Sequence, residues 1–350
     1  MDHTVDILDV TIRDGSYAIG YQYTPQQVED IVREIDRAGI PYIEVSHGCG
    51  LGARDMGLPA AASDEEYVAA AKRAAHRAKI GVIANMAPFT KREHLDAVLD
   101  AVDFIRFAAN VDNVRALEQH IAHVRARGNV EIFVQMMRSS RRPLPDILEA
   151  GRIAASLGAH AVYLVDTAGF YLPEDVHTRI AALTSELTVK IGFHAHDNLR
   201  MGLANTLAAI DAGATLVDAS LRGMGRAGGN ASLEALVAIL RRRGLAPSID
   251  LDVVLDAGEA LVAPLMPAAH GIEAIDIVTA DANIDLYPLT FFGKLADALK
   301  TDLYTLARTC ARSDATEIGM VEIMQIIRDF KKEPKEVFEA MGLELPKEPE

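Results

Sequence analysis

The chain has 350 residues, half of them hydrophobic and 24% charged, with a formal net charge of −15. That length accommodates one large domain plus a smaller appendage, and the acidic balance argues against nucleic acid or an anionic membrane as the main partner. Two cysteines, Cys49 and Cys310, stand far apart and in no metal-like spacing, which excludes a disulfide framework and suits a reducing cytosol. The N-terminus has neither the basic region nor the apolar stretch of a signal peptide. No run approaches the roughly 18 apolar residues that span a bilayer. A soluble, cytoplasmic protein with no membrane partner is expected.

Short apolar, β-branched runs alternate with helical patterns as far as about residue 245. The strand-like runs are Val5–Ile12, Tyr42–Ser46, Ile80–Asn85, Phe104–Ala108, Val130–Met136, Ala161–Asp166, Val189–His194 and Thr215–Ser220. Between them lie segments with apolar residues at helical spacing, such as Pro25–Ala38, Asp64–Ala78 and Pro145–Leu157. Thr24-Pro25 reads as a helix start, and Ala38-Gly39, Leu157-Gly158 and Ala212-Gly213 read as helix ends. Eight continuously apolar strands alternating with helices predict a (β/α)8 TIM barrel over residues 1–245. An open doubly wound sheet would carry a Gly-rich phosphate loop after its first strand, and Arg13-Asp14-Gly15-Ser16 is not one. From 246 to 350 the pattern is mostly helical, which predicts a C-terminal helical domain with a frayed end.

In such a barrel the chemistry sits where the strands end. The first strand ends in Asp9-Val-Thr-Ile-Arg-Asp-Gly15, which puts an adjacent cation and anion in the mouth, for chemistry or as a structural ion pair. The seventh ends in His194-Ala-His196. Residues two apart on a strand share a side, so both imidazoles can converge on one metal ion. Asp14 can add a carboxylate, completing three ligands with open positions. After the eighth strand, Gly223-Met-Gly-Arg-Ala-Gly-Gly-Asn230 lets backbone approach a ligand closely, and Asn230 can add an oxygen to the metal or order a metal-bound water. His47, after the second strand, reads equally as an acid/base or as a hydrogen-bonded structural histidine. Thr167, after the sixth, can hold a substrate carboxylate. Arg106 and Arg138 read as solvated or structural ahead of substrate-binding.

These motifs, in this order and spacing, resemble the DRE-TIM metallolyase (HMGL-like) superfamily. Within it, Ile43-Glu-Val-Ser-His-Gly48, Tyr163-Leu-Val-Asp-Thr167, Asn205, Val217-Asp-Ala-Ser-Leu221 and Leu286-Tyr287…Phe291 match the branch of bacterial 4-hydroxy-2-oxovalerate aldolases. The resemblance implies a divalent metal, Mn2+ first and Mg2+, Co2+ or Zn2+ next, on Asp14, His194 and His196, with Asn230 beside it. It implies that Arg13 stabilises a pyruvate enolate, that Thr167 holds the pyruvate carboxylate, and that Tyr287 contacts the aldehyde-derived end. Arg13, Tyr17, His47 and Tyr287 are the candidate catalytic residues. Side-chain specificity is expected from loops around His47, Met86, Met137 and Tyr287.

One departure bears on mechanism. Where the aldolases place an acid/base histidine, three residues after Asp14, this chain has Tyr17. A phenol's unperturbed pKa near 10 makes it a poor base at neutral pH, so Tyr17, His47 or a metal-bound water would have to serve. Asp197-Asn198 and Gly228-Gly-Asn-Ala-Ser-Leu-Glu234 lean toward the lyases and synthases. The resemblance thus implies cleavage or formation of a 4-hydroxy-2-oxo acid, pyruvate and an aldehyde being the other side of the reaction. A Claisen-type acyl-CoA synthase or lyase, or a barrel without catalysis serving as a binding subunit, are the alternatives. The expected partner is a small 2-oxo acid. A homo-oligomer and an acylating aldehyde dehydrogenase partner follow from the resemblance alone.

Overall fold

The protein is seen in a computed structural model that describes residues 5–85, 89–128, 130–267 and 271–346. It divides into two compact units, Met1–Ile272 and Glu273–Glu350. In the first unit eight parallel strands follow chain order around a closed barrel. They are β1 (Asp6–Asp9), β2 (Tyr42–Glu44), β3 (Lys79–Asn85), β4 (Phe104–Asn110), β5 (Glu131–Met137), β6 (Ala161–Asp166), β7 (Lys190–Ala195) and β8 (Leu216–Ala219). Leu8 pairs with Asp218 and Asp9 with Ala219, which closes β1 on β8. The helices between and after them are α1 (Pro25–Ala38), α2 (Asp64–Ala74), α3 (Arg92–Val98), α4 (Glu118–Arg127), α5 (Leu144–Ser156), α6 (Pro173–Glu186), α7 (Gly202–Asp211) and α8 (Leu233–Arg242). The expected TIM barrel is present, with all eight strands where the alternation placed them.

Local chemistry sets the element ends. Thr24 caps α1 by accepting from the Gln27 N–H, and Gly39 ends the helix at φ 92°. Helix α2 stops at Ala74, short of the expected Ala78. The Asp36 carboxylate takes the Arg77 and Ala78 N–H groups at 2.8 and 2.6 Å and draws that backbone toward β3. Strand β1 likewise ends at Asp9, before the expected Ile12. The Asp14 and Gly15 N–H groups turn back onto the Val10 carbonyl, so Asp14 stands on a turn above the strand.

The barrel interior is layered by polarity. Tyr42, Phe104, Phe133 and Tyr163 pack ring against ring low in the barrel. Gly81 and Gly192 make room for them, since a Cβ there would lie 2.3 Å from the Phe104 ring and 2.6 Å from that of Tyr163. Above this floor lie charged residues, beginning with Arg106, whose guanidinium stacks 4.5 Å from the Tyr163 centroid.

The break in rhythm near residue 245 marks the end of the strand–helix alternation, and the first compact unit extends beyond it. Helix α9 (Leu251–Ala257) places Val253, Val254 and Ala257 in the same core as the barrel helices. The second unit holds α10 (Ala274–Asp281), α11 (Leu289–Leu299), α12 (Leu303–Cys310), α13 (Met320–Asp329) and α14 (Pro334–Ala340) around its own core of Leu295, Leu306, Ile327 and Phe338. Both cysteines are buried and unbridged. Among the described residues no helix is long and apolar enough to cross a membrane.

Candidate active site

Asp14, His194 and His196 converge at the C-terminal ends of β1 and β7, all three buried, with one potential ligand atom from each within 4.8 Å of the others. His194 Nε2 lies 3.9 Å from Asp14 Oδ2, while its Nδ1 lies 2.8 Å from Asp218 Oδ2. The Asp218 carboxylate therefore accepts a hydrogen bond from Nδ1–H and leaves the Nε2 lone pair facing Asp14, the arrangement that orients a metal-ligating imidazole. His196 bridges to Asn230 across an isolated antiparallel pair. Asn230 Nδ2 donates to Asp14 Oδ1 at 3.3 Å and to the Met224 carbonyl at 2.9 Å. Its buried Oδ1 has no hydrogen-bond partner among the described residues. Two imidazole nitrogens and a carboxylate oxygen form a donor set that fits a divalent transition ion, and Asn230 reaches the same cluster through its Nδ2.

A ring of buried ion pairs supports this cluster. Arg13 Nη1 contacts Asp14, and its Nε donates to Glu44 Oε2 at 2.6 Å. The same Glu44 oxygen accepts from Arg106 at 3.4 Å, and Arg106 Nη2 reaches Asp218 Oδ2 at 2.6 Å. From Asp14 the circuit runs through Arg13, Glu44, Arg106, Asp218 and His194 back to Asp14. Burial alone would raise the Asp14 carboxyl, but Arg13, then His196 and His194, hold it well below the usual carboxylate range. Burial likewise opposes ionisation of Asp218, and Arg106 with His194 lowers it nonetheless.

Arg106 is thus structural, as one of its two readings had it, but fully buried rather than solvated. Glu44 and Asp218 carry no role in the sequence reading. Their signal was a charged residue inside an otherwise apolar strand, as at Ile43-Glu-Val45 and Val217-Asp-Ala219. A charge there must find a partner inside the barrel.

The other candidates fall into separate settings. Thr167, at the end of β6, accepts the Arg138 N–H at 2.8 Å, so its own hydroxyl proton points elsewhere. Tyr17 lies beside Cys49, with its phenol oxygen 3.4 Å from Sγ, and its ring meets Tyr21 edge-on. Gly48 lets these rings close in, since a Cβ there would come within 3.0 Å of both Tyr17 and Tyr21. His47 stacks on Tyr21 at 4.3 Å, accepts the Cys49 N–H on Nδ1 and bonds the Pro59 carbonyl through Nε2. Both ring nitrogens of His47 thus rest on backbone groups, as its hydrogen-bonded structural reading expected. Tyr287 lies between α10 and α11 of the second unit. Met86 falls outside the described residues.

The HMGL-like family model matches residues 4–261. The chain belongs to the HMGL-like family. This HMGL-like chain is 42% identical over 262 residues to a 4-hydroxy-2-oxovalerate aldolase of Roseiflexus sp. (strain RS-1), covering 75% of this chain and 77% of that one. It is 37% identical over 311 residues to an oxaloacetate decarboxylase of Mycobacterium tuberculosis, covering 88% and 91%. The carboxyl transferase domain of Rhizobium etli pyruvate carboxylase, solved with 3-hydroxypyruvate, superposes with a TM-score of 0.76 at 17% identity. That match covers 94% of this chain and 61% of the other, and it speaks for the fold alone. With such relatives the HMGL-like chain is an enzyme of the lyase type.

Proposed function

We propose that the chain is a divalent-metal-dependent aldolase that cleaves a 4-hydroxy-2-oxo acid to pyruvate and an aldehyde, or runs the reverse addition. The observation that carries this reading is the buried Asp14–His194–His196 triad with Arg13 pinned at its edge. A divalent ion held there, Mn2+ by the resemblance, supplies Lewis-acid polarisation of the 2-oxo group. Arg13, fixed between Asp14 and Glu44, keeps a positive charge where the enolate develops. Thr167 directs its hydroxyl to the substrate carboxylate. Tyr17, as its phenolate, would take the proton from the 4-hydroxyl and then, as the phenol, return one to C3. Asp218 holds the His194 ring in one tautomer.

Tyr17 also supports a second reading, decarboxylation of a 2-oxo acid with a carboxylate at C4. Loss of CO2 yields the same enolate with no hydroxyl proton to remove, so a weak base at position 17 is no handicap. The M. tuberculosis relative bears that activity in its name.

The test is pyruvate release, coupled to lactate dehydrogenase, from 4-hydroxy-2-oxopentanoate, its longer homologues and oxaloacetate. EDTA-treated enzyme is assayed with and without Mn2+, against enzyme-free blanks. Metal-restored release from a 4-hydroxy-2-oxo acid supports the aldolase, and release from oxaloacetate alone selects the decarboxylase. No release from any of them, by protein that binds Mn2+, sinks both.

A further inference from the structure

Alternate strands each send a polar side chain into the middle of the barrel: Glu44 from β2, Arg106 from β4, Tyr163 from β6 and Asp218 from β8. A layer of four such side chains fills a closed eight-stranded barrel, but it is ordinarily made of branched apolar residues. Here Arg106 touches the other three. Its guanidinium lies 4.5 Å from the Tyr163 ring centroid, its Nη1 donates to Glu44 Oε2 at 3.4 Å and its Nη2 to Asp218 Oδ2 at 2.6 Å. No member of the layer is more than 2% exposed.

Each carboxylate uses the same oxygen for a second partner. Glu44 Oε2 also accepts from Arg13 Nε at 2.6 Å, and Asp218 Oδ2 from His194 Nδ1 at 2.8 Å. The other oxygens, Glu44 Oε1 and Asp218 Oδ1, accept no hydrogen bond among the described residues. Arg106 is therefore the cation that both carboxylates share. Beyond them stand a metal-ligating imidazole on one side and the enolate-facing guanidinium on the other. Two buried carboxylates repel and cannot fall back on water, so without the Arg106 fork nothing holds each one against its functional partner. A lysine there presents one point charge on a flexible stem, where the planar guanidinium spans two acceptors.

We propose that Arg106 is a positioning residue that sets the metal and the enolate-stabilising charge at once, through Asp218 to His194 and through Glu44 to Arg13. The polar layer of the barrel thereby serves the reaction without touching substrate. This rests on the reading of the site as a metal-dependent lyase and adds the residue that holds its two halves in place.

The experiment compares wild type, Arg106→Met, Arg106→Lys, Asp218→Asn and the double variant Arg106→Met/Asp218→Asn. Phe104→Leu, on the aromatic floor of the barrel, serves as a variant that loses packing alone. Mn2+ affinity is titrated through the EPR signal of the ion. Oxalate, a planar mimic of pyruvate enolate, is then bound to the Mn2+-saturated proteins in a calorimeter. Arg106→Met should lose roughly 10- to 100-fold in Mn2+ affinity and, at saturating Mn2+, about tenfold in oxalate affinity. Arg106→Lys should recover part of both. Phe104→Leu should lose stability in urea with neither affinity moved. In the Asp218→Asn background, Arg106→Met should change Mn2+ affinity by no more than about twofold. It should still weaken oxalate there, because the Glu44 arm remains. Wild-type affinities in folded Arg106→Met, losses of the same size in Phe104→Leu, or Mn2+ losses that multiply in the double variant overturn the proposal. Should Arg106→Met show no cooperative unfolding, Arg106→Lys carries the same comparison. Wild type that binds Mn2+ yet releases no pyruvate from any 2-oxo acid ends the lyase reading by itself. The two titrations then still decide Arg106.

Discussion

Asp218 serves two partners at once, the His194 Nδ1–H and the Arg106 guanidinium, from a site with almost no exposure to water. Asp218→Asn keeps the shape and removes the charge, so the effects on metal and on stability can be read separately. Mn2+ affinity, followed by titration, should fall about 10- to 100-fold. Stability should fall by about 3–5 kcal/mol in urea unfolding, because Arg106 loses a partner it cannot exchange for water. Unchanged Mn2+ affinity would mean that Asp218 does not orient His194 as a ligand. For Tyr17 the test is Tyr17→Phe. If the phenol is the acid/base, kcat for aldol cleavage should drop by roughly 10²–10⁴, with Mn2+ binding retained. A drop smaller than tenfold would take the role away from Tyr17. His47 already illustrates what a residue's identity leaves open, since its neighbours in space, Tyr21, Cys49 and Pro59, decide what its nitrogens do.

Among the elements, the strands owe their fit to small residues opposite large ones. Gly81 on β3 faces Phe104 on β4, and Gly192 on β7 faces Tyr163 on β6. Gly81→Ala pushes a methyl into the Phe104 ring and should cost about 1–3 kcal/mol of stability. Combining it with Phe104→Leu should return part of that loss, which a double-mutant cycle in urea would measure. Additive losses would show that the clash is relieved elsewhere. The helix caps at Thr24 and Gly39 were legible because they are local, set by residues within one turn. The early end of α2 was not, because Asp36 lies 41 residues from the Arg77 N–H it captures.

For the molecule as a whole, buried carboxyls pull stability in opposite directions with pH. Burial pushes the Asp9 carboxyl up to about 7, against two hydrogen bonds from Thr11 that favour its ionised form. Its contribution is present below the unfolded value of about 3.9 and is lost as pH rises through about 7. Asp14 and Asp218 are held low, so their contribution is present above about 3.9 and is lost as pH falls through their folded values. Asp9→Asn mimics the neutral acid and should flatten the decline of Tm between about pH 4 and 7, with the acid limb unmoved. A wild-type slope in that variant would mean that Thr11 keeps Asp9 ionised throughout. The two units have separate cores, and their division after Ile272 falls past the point where the strand–helix rhythm stops.

The barrel, its eight strands and the strand-end placing of Asp14, His194 and His196 were legible in the order of residues alone. Those depend on periodicity, on capping and on strand ends, which act over a few residues at a time. Closure of the barrel settled that Glu44, Arg106 and Asp218 form a circuit through it, that His47 is held by backbone, and that Arg226 reaches from Asp14 to Thr167. Each of these joins residues dozens to hundreds of positions apart. Such pairs meet only when the barrel closes, and no local pattern encodes which buried charge will find which partner.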